Sequence, residues 1–505
     1  MAGQDMSRAR TYPARPVDFA DMQGLVRFGH GRLVEAEFLL LSVTDVAAAR
    51  HWLATAPVTS AETLEEPPDV ALQIAFTATG LRALGLADDV VAQFSQPFLA
   101  GMAGEQSRAR RLGDTGTNAP EHWHWDAAGS HVLLMLYARA GGLDDFRSTV
   151  LEGEFETAFG RVQTLTTRSN DGIEPFGFAD GISEPKVDWE QAHPPSKHGR
   201  EAYENMIAPG EVVLGHINEY NEVSPAPQLT TSVAGADVPP TQESPQDMRD
   251  FGGNGSYLVL RQLEQDVAGF WRYLDDVTDG DPTERAALAA AMVGRQQDGT
   301  PLVRGRRDIV GGRHGNNFTF DDDIDGVVCP VGAHIRRANP RTGDQPPGVD
   351  GVWSWILSTL GFRRRRDKLP GRHDLVASTR FHRLVRRGRA YGPKLSPEDA
   401  LTNPSGAAQG LHFICLCANL TRQFEFVQNA WMSAPGFNGL RSEADPLVGS
   451  RAPVGGVPSD SFSIQRATGI GRRYDNLPQF VTVRGGGYFF LPGLRALRFI
   501  ARQND

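Results

Sequence analysis

Cysteine pairs, long apolar runs and an excess of positive charge are all missing from this chain of 505 residues. Its three cysteines, Cys329, Cys415 and Cys417, are too few for a disulfide framework, which predicts a reducing, cytoplasmic location. No stretch approaches the roughly 20 apolar residues of a membrane span, and the polar N-terminal segment lacks the apolar core of a signal peptide. A formal net charge of -10 argues against nucleic-acid binding.

The N-terminal half alternates apolar strand patterns with helical ones. Strands are predicted at residues 33–43, 70–78, 131–140 and 161–167. Helices are predicted between them, at residues 47–56, 80–86 and 143–159. The order β-α-β, then β-α-β, is typical of a ferredoxin-like unit.

A related pattern returns in the C-terminal half. Strands are predicted at residues 255–263, 410–420 and 479–492, and helices at residues 266–276 and 421–434. We therefore predict two structurally similar domains, residues 1–200 and residues 201–505. The segment 343–380, which contains the run Arg363–Arg366, is predicted to be a surface insertion.

The segment PFGFADGISEP places Asp180 between Gly177 and Gly181. Glycines permit backbone conformations and close approaches that other residues forbid, so such a loop can present a fixed carboxylate to a cavity. A turn whose aspartate caps a neighbouring helix is the alternative, and composition alone favours it.

The segment CPVGAHIRRANPR predicts a helix of about two turns between Pro330 and Pro340. His334 would lie on this helix beside small residues and could approach a flat cofactor. Arg341 would lie near the same helical face and could pair with a carboxylate. A lone histidine is more often structural or exposed, and Cys329 is a competing soft ligand for iron.

Two further segments contain candidate cavity residues. In HRLVRRGRAYG, Arg386 and Arg387 follow an apolar pair, so one could point inward while the other is solvated. In GLHFICLCANL, Leu411 and Phe413 share one strand face and could line a dry pocket.

Together these segments resemble the dye-decolorizing peroxidase family. GFADG matches the family's Gly-x-x-Asp-Gly motif, AHIRRANPR its proximal haem-ligand segment, and LVRRGRAYG its distal-arginine segment. The matches occur in family order from about residue 170 to 493 and point to the larger group that lacks an export signal. The resemblance implies an α+β fold of two ferredoxin-like domains of the dimeric α/β-barrel type, with antiparallel sheets and peripheral helices. Haem b would be held mainly by the C-terminal domain.

The resemblance also assigns the reacting groups. His334 would be the proximal iron ligand, and Asp180 the distal acid–base. Arg386 is the better match for the distal arginine, with Arg387 as the alternative because the register is ambiguous by one.

The remaining assignments concern contacts with the cofactor. By the same resemblance, Arg341 would bind a haem propionate, and Leu411 and Phe413 would cover the distal face. Asp445, in EADPLVG, would accept the Nδ1 hydrogen bond of His334.

The implied function is that of a haem-dependent peroxidase, which reduces hydrogen peroxide and oxidises bulky dye-like, phenolic or other electron donors. No nucleic-acid or membrane partner is expected, and oligomerisation is left open. One alternative is a haem-binding or haem-handling protein with little peroxidase turnover. Another is a haem-free metalloprotein that uses His122, His124 and the acidic run at 321–325, although two histidines without a third ligand are a weak metal signature.

Overall fold

The computed structural model describes residues 15–192, 206–234, 238–241, 246–303, 315–316, 318–341, 379–402 and 406–502. The predicted domain boundary at residue 200 lies outside the described residues and stays a prediction. The predicted insertion at 343–380, with its run of arginines, also lies almost entirely outside them.

Strands and helices alternate along the described chain. The strands are β1 (Glu35–Val43), β2 (Val70–Phe76), β3 (Trp125–Asp126), β4 (Val132–Ala138), β5 (Phe159–Thr166), β6 (Lys186–Val187), β7 (Met206–Ile207), β8 (Gln228–Thr230), β9 (Met248–Asp250), β10 (Ser256–Gln265), β11 (Val385–Arg386), β12 (Arg389–Tyr391), β13 (Gly410–Cys417), β14 (Phe462–Ile464), β15 (Arg472–Tyr474) and β16 (Val481–Leu491). The helices are α1 (Gly24–Phe28), α2 (Val46–Thr55), α3 (Ala78–Ala83), α4 (Asp88–Val91), α5 (Gln96–Ala100), α6 (Gln106–Leu112), α7 (Leu143–Val150), α8 (Phe155–Ala158), α9 (Thr231–Ala234), α10 (Val267–Val277), α11 (Pro282–Val293), α12 (His334–Ala338), α13 (Pro397–Thr402) and α14 (Leu494–Ala501).

The main sheet contains strands from both halves of the chain. Its strand order is β11-β13-β10-β16-β2-β4-β1-β5, and neighbours along this path are antiparallel. The strands of each half follow the order second, third, first, fourth, which is the ferredoxin-like arrangement. The two half-sheets meet where β16 pairs with β2, at Phe490 and Phe76. The antiparallel α+β fold predicted from the sequence is therefore confirmed.

Both faces of the sheet are buried at β1, β2 and β4, which explains the nearly continuous apolar sequence of these strands. In β1, Leu39 and Leu41 pack into one hydrophobic cluster, whereas Phe38 and Leu40 pack into a second cluster on the opposite face. Successive strand residues point to opposite faces, so covering both faces demands apolar residues at every position.

Two predicted helices differ from the observed ones. The helix predicted at 143–159 is interrupted, because α7 ends at Val150 and Gly153 adopts a left-handed conformation with φ +72° before α8 begins. The helix predicted at 421–434 is formed by two π-helical segments, Thr421–Glu425 and Val427–Ser433. Such widened turns are rare and occur often at functional sites. None of the described helices is long and apolar enough to cross a membrane.

Replacing Phe490 with alanine should strongly destabilise the junction of the two half-sheets. Its ring is fully buried, with its centroid 4.9 Å from that of Phe94 and 5.9 Å from that of Phe251. We expect the free energy of unfolding, measured by urea denaturation, to fall by about 3–5 kcal/mol. Ile470→Ala is the control, because Ile470 is 91% exposed and its loss should change stability by less than about 0.5 kcal/mol.

Candidate active site

A cavity of about 280 Å³ lies beside the C-terminal half-sheet. Its wall contains residues from β10, β13 and β16, from α12, from both π-helical segments and from the loop that precedes β6. The residues predicted from the sequence that line this cavity are Asp180, His334, Arg341, Arg386, Leu411 and Phe413. Positions separated by up to 233 residues are therefore brought to one site.

The loop carrying Asp180 has a fixed backbone conformation. Gly177 and Gly181 have φ angles of +97° and +75°, which residues with side chains rarely adopt. The backbone N–H of Asp180 donates to the carbonyl oxygen of Gly172 at 2.8 Å. Its carboxylate accepts the N–H of Gly181 at 2.7 Å and faces the cavity. Asp180 caps none of the described helices, so the capping alternative is wrong.

Glu174, which sequence reasoning missed, also lines the cavity and holds this loop in place. Its carboxylate accepts backbone N–H groups of Phe176 and Phe178 at 3.0 and 2.9 Å, and the side-chain amide of Gln265 at 3.0 Å. Burial raises the pKa of Glu174, although these three donors favour its charged form. A glutamate six positions before Asp180 matches no recognised spacing, so only the folded loop identifies it.

The helix carrying His334 is shorter than predicted. Helix α12 spans His334–Ala338, and His334 is its first residue. Pro330 does not start the helix, because a turn closes between Pro330 and Ala333, whose N–H donates to the Pro330 carbonyl oxygen at 3.0 Å. The histidine is thus presented at a turn-to-helix junction.

One residue of the acidic run 321–325, Asp323, supports this junction, whereas Asp322 and Asp325 are exposed. Asp323 is 6% exposed, and its carboxylate accepts the backbone N–H groups of Val328 and Cys329 at 2.9 and 2.8 Å. The guanidinium of Arg336, on α12, donates to the same carboxylate at 3.1 Å.

Asp445 lies directly behind the histidine. His334 Nδ1 and Asp445 Oδ2 are 3.0 Å apart, and Asp445 is fully buried. The other carboxylate oxygen accepts the N–H groups of Leu447 and Val448, both at 2.9 Å. Burial opposes the charge of Asp445, but His334 and then Arg337 lower its pKa below the ordinary value. Burial likewise opposes protonation of His334, yet Asp445 raises the imidazole pKa.

Of the two adjacent arginines, only Arg386 lines the cavity. Its Nη1 lies 3.4 Å from Asp180 Oδ1, so the two distal candidates are in contact. Arg387 turns the other way, and its Nε and Nη2 donate to the carbonyl oxygens of Leu25 and Val26 at 2.9 and 3.0 Å. The register ambiguity between the two arginines is thereby decided by orientation in favour of Arg386.

Arg341 lines the cavity but, contrary to the prediction from the sequence, does not lie on the helix of His334. Helix α12 ends at Ala338, so Arg341 is outside it. Its guanidinium donates to the side-chain and backbone oxygens of Asn316, each at 2.6 Å, and stacks on Phe318 with 4.0 Å to the ring centroid. Arg383, which sequence reasoning missed, also lines the cavity and is 7% exposed.

Cys329 does not compete for the cavity. It is fully buried away from the cavity wall, and burial raises the pKa of its thiol to about 12. A protonated thiol is a poor iron ligand. Cys415 and Cys417 are buried as small apolar residues, and burial raises the pKa of both thiols.

The donor set of the cavity fits an iron porphyrin. His334 Nδ1 is engaged by Asp445, which leaves Nε2 as the nitrogen that could coordinate a metal. Leu411 and Phe413 add to a largely apolar wall, and Arg341 supplies a guanidinium that suits a carboxylate.

A haem-free metal site finds no support in the described part of the chain. Those residues include no group of three or more histidine, cysteine, aspartate or glutamate side chains arranged to hold a metal ion. His122 and His124 are both exposed there.

The chain is similar to characterised proteins of one family. Residues 32–169 match the family model described as the DyP dimeric alpha+beta barrel domain. A dye-decolorizing peroxidase of Mycetinis scorodonius is 29% identical over 96% of this chain and 88% of its own length. A multifunctional dye peroxidase of Amycolatopsis sp. is 29% identical over 85% of this chain and 81% of its own length.

Solved structures agree on the fold. The crystal structure of a fungal DyP-type peroxidase from Auricularia auricula-judae superposes with a TM-score of 0.70 at 24% identity, covering 97% of this chain and all of that one. The sequence matches extend over nearly the whole chain, and the fold and the motif order agree with them. The chain therefore resembles the dye-decolorizing peroxidases in sequence over nearly its whole length, and it shares their fold.

Proposed function

We propose that this protein reduces hydrogen peroxide at a haem b held by His334 and oxidises a reducing organic substrate. One observation carries the proposal. Asp180 and Arg386 contact each other on the wall of the same cavity that contains His334, and His334 is braced by Asp445. A haem-binding site needs only the histidine, whereas peroxide chemistry also needs an acid–base and a cation on the open side.

The cofactor would be held by three kinds of contact. His334 Nε2 would ligate the iron, Arg341 would bind a propionate, and Leu411 and Phe413 would pack over the distal face. The chemistry that haem supplies when bound is reductive cleavage of the peroxide O–O bond.

The distal side chains would move the proton and stabilise charge. Asp180 accepts a proton from one peroxide oxygen and returns it to the other, so that water is the leaving group. Arg386 places its N–H groups beside the negative charge that develops as the O–O bond breaks. Its charge is permanent, so this stabilisation needs no proton transfer of its own.

Replacing Asp445 by asparagine should weaken haem binding. The carboxylate orients His334 and favours the tautomer that leaves Nε2 free, and loss of such a partner commonly reduces affinity about 10- to 100-fold. We expect faster haem loss to a haem-scavenging protein, measured from the Soret absorbance.

Asp475→Asn provides the control for this change. Asp475 is half-exposed and pairs with Arg473 at the surface, so the Asp475→Asn variant should lose haem at the same rate as the original protein. Equal haem retention by the Asp445 variant would contradict the role proposed for Asp445.

The second candidate is a haem-binding or haem-handling protein with little peroxidase turnover. It would use His334 and Arg341 but would make no demand on the contact between Asp180 and Arg386. Stopped-flow mixing of the haem-loaded protein with hydrogen peroxide separates the two. A rapid change in the haem spectrum supports the peroxidase, and an unchanged spectrum supports haem handling.

The reducing substrate is proposed by chemical class. Relatives are named for the decolorising of dyes, and one structure of a relative is a complex with 2,6-dimethoxyphenol. We expect bulky dye-like and phenolic donors to serve here as well. Cytoplasmic location and oligomeric state stay predictions, the former supported by three buried cysteines that form no disulfide.

A further inference from the structure

Arg386 is held by the carboxylate of Glu184, a residue of the segment PFGFADGISEP that has been given no role so far. Glu184 lies four residues after Asp180, and its two oxygens grip different parts of the arginine. Oε1 is 2.9 Å from Arg386 Nε, and Oε2 accepts the Arg386 backbone N–H at 2.7 Å. Side chain and main chain are thus fixed by one residue, which restricts both the rotation of Arg386 and the position of its strand β11.

Two carboxylates compete for the same guanidinium. Arg386 Nη1 lies 3.4 Å from Asp180 Oδ1, which is longer than the usual 2.7–2.9 Å of a charge-assisted hydrogen bond, whereas the contact with Glu184 is within that range. The Glu184 carboxylate is also the main cause of the raised pKa of Arg386. Arg386 is therefore bound chiefly to Glu184.

We propose that Glu184 is a positioning residue that holds Arg386 back from Asp180, so that both distal groups stay available to a ligand between them. The inference rests on the proposed function for its consequence in peroxide chemistry, but its geometric claim concerns only this chain's own residues. The neighbouring Arg387 could not take over, because it donates to backbone carbonyl oxygens on the other side of the strand.

The physical consequence follows from the geometry. If the ion pair with Glu184 is lost, the carboxylate that remains in contact with Arg386 is that of Asp180. A close Asp180–Arg386 pair would consume the N–H donors that an anionic ligand needs and the carboxylate oxygen that a proton needs. Glu184 would thereby keep the distal site open without touching the ligand itself.

A crystal structure of Glu184→Gln tests the geometric claim directly. One of the two accepting oxygens becomes an NH2 group, which can only donate, so one of the two contacts loses its acceptor, and the negative charge is gone. We expect Arg386 Nη1 to approach Asp180 Oδ1 to about 2.7–2.9 Å. An unmoved Arg386 overturns the proposal, whether or not the protein binds haem. Failure of the proposed function is thus distinguishable from failure of this inference.

The affinity of the haem-loaded protein for fluoride, measured by optical titration, provides a second test. Whether the affinity falls, rises or stays the same in Glu184→Gln distinguishes the possible roles of Glu184. If Glu184 positions Arg386, its loss removes a donor from the anion, and affinity falls about tenfold, the effect of one hydrogen bond to a charged group. If Glu184 contributes only negative charge, affinity rises on its removal. If it serves only stability, affinity is unchanged. The last two outcomes each overturn the proposal.

Glu184→Asp keeps the charge but shortens the side chain by one methylene, so it cannot span both contacts. We expect fluoride affinity to fall in this variant too, so Glu184→Asp can be measured instead if the glutamine variant does not fold.

Glu264→Gln is the matched control, because Glu264 pairs with Arg484 at 2.9 Å with similar exposure and neither residue lines the cavity. The fluoride affinity of the Glu264→Gln variant should equal that of the original protein. A second control adds Glu184→Gln to the Arg386→Leu variant, and the double variant should have the same fluoride affinity as Arg386→Leu alone.

Discussion

Replacing His334 by alanine is expected to abolish haem binding, the largest effect of any single substitution in this chain. Among the cavity residues, His334 combines a nitrogen suited to iron with a second nitrogen fixed by a buried carboxylate. Alanine removes the proposed iron ligand and leaves Asp445 buried without its histidine partner. The apolar walls would retain some porphyrin affinity, but no side chain at position 334 would bind the iron.

Reconstitution with haem, followed by the Soret absorbance after gel filtration, measures this result. The original protein should retain stoichiometric haem and the variant essentially none. His122→Ala is the control, since His122 is exposed and outside the cavity wall. If the His334 variant kept an unchanged Soret band, the iron ligand would have to be another residue.

Asp180→Asn and Arg386→Leu should each slow peroxide cleavage by about 10²–10³-fold while leaving haem bound. Asparagine cannot accept the transferred proton, and leucine cannot stabilise the charge on the departing oxygen. Because the two side chains are in contact, their effects are expected to be non-additive, and the double variant should lose less than the product of the single losses.

Stopped-flow spectra of the haem-loaded variants, mixed with hydrogen peroxide, provide the rates. A surface pair of the same chemistry supplies matched controls, because Arg82 and Asp88 form an exposed contact at 2.9 Å. Asp88→Asn and Arg82→Leu should react at the original rate. Unchanged peroxide cleavage in both distal variants would refute the mechanism even with haem bound.

Much of the fold could be predicted because strand patterns are local. The run of apolar residues in β1 and the alternation of strands with helices predicted ferredoxin-like units, and the family resemblance implied the antiparallel α+β fold. Helix limits were less predictable. Pro330 suits a helix start but closes a turn here, since backbone hydrogen bonding in the folded loop overrides a positional preference.

The candidate site was predictable only in part. The motifs identified Asp180 and His334 by resemblance, yet nothing in LVRRGRAYG states which arginine turns inward. That orientation depends on which hydrogen-bond acceptors lie on each side of the strand. Arg386 donates to the carboxylate of Glu184, and Arg387 donates to backbone carbonyl oxygens. The supporting roles of Glu174 and Asp323 could not be predicted either, because the backbone N–H groups that they accept are brought to them only by the folded loops.

The sequence by itself determined the strand and helix pattern, the family resemblance and the candidate iron ligand, because those depend on local periodicity and on motif order. Only the tertiary structure decided which side chains share the cavity and which carboxylate holds each of them. Hydrogen bonds such as that of Asp445 with His334 join residues 111 positions apart, and their geometry exists only once the chain has folded.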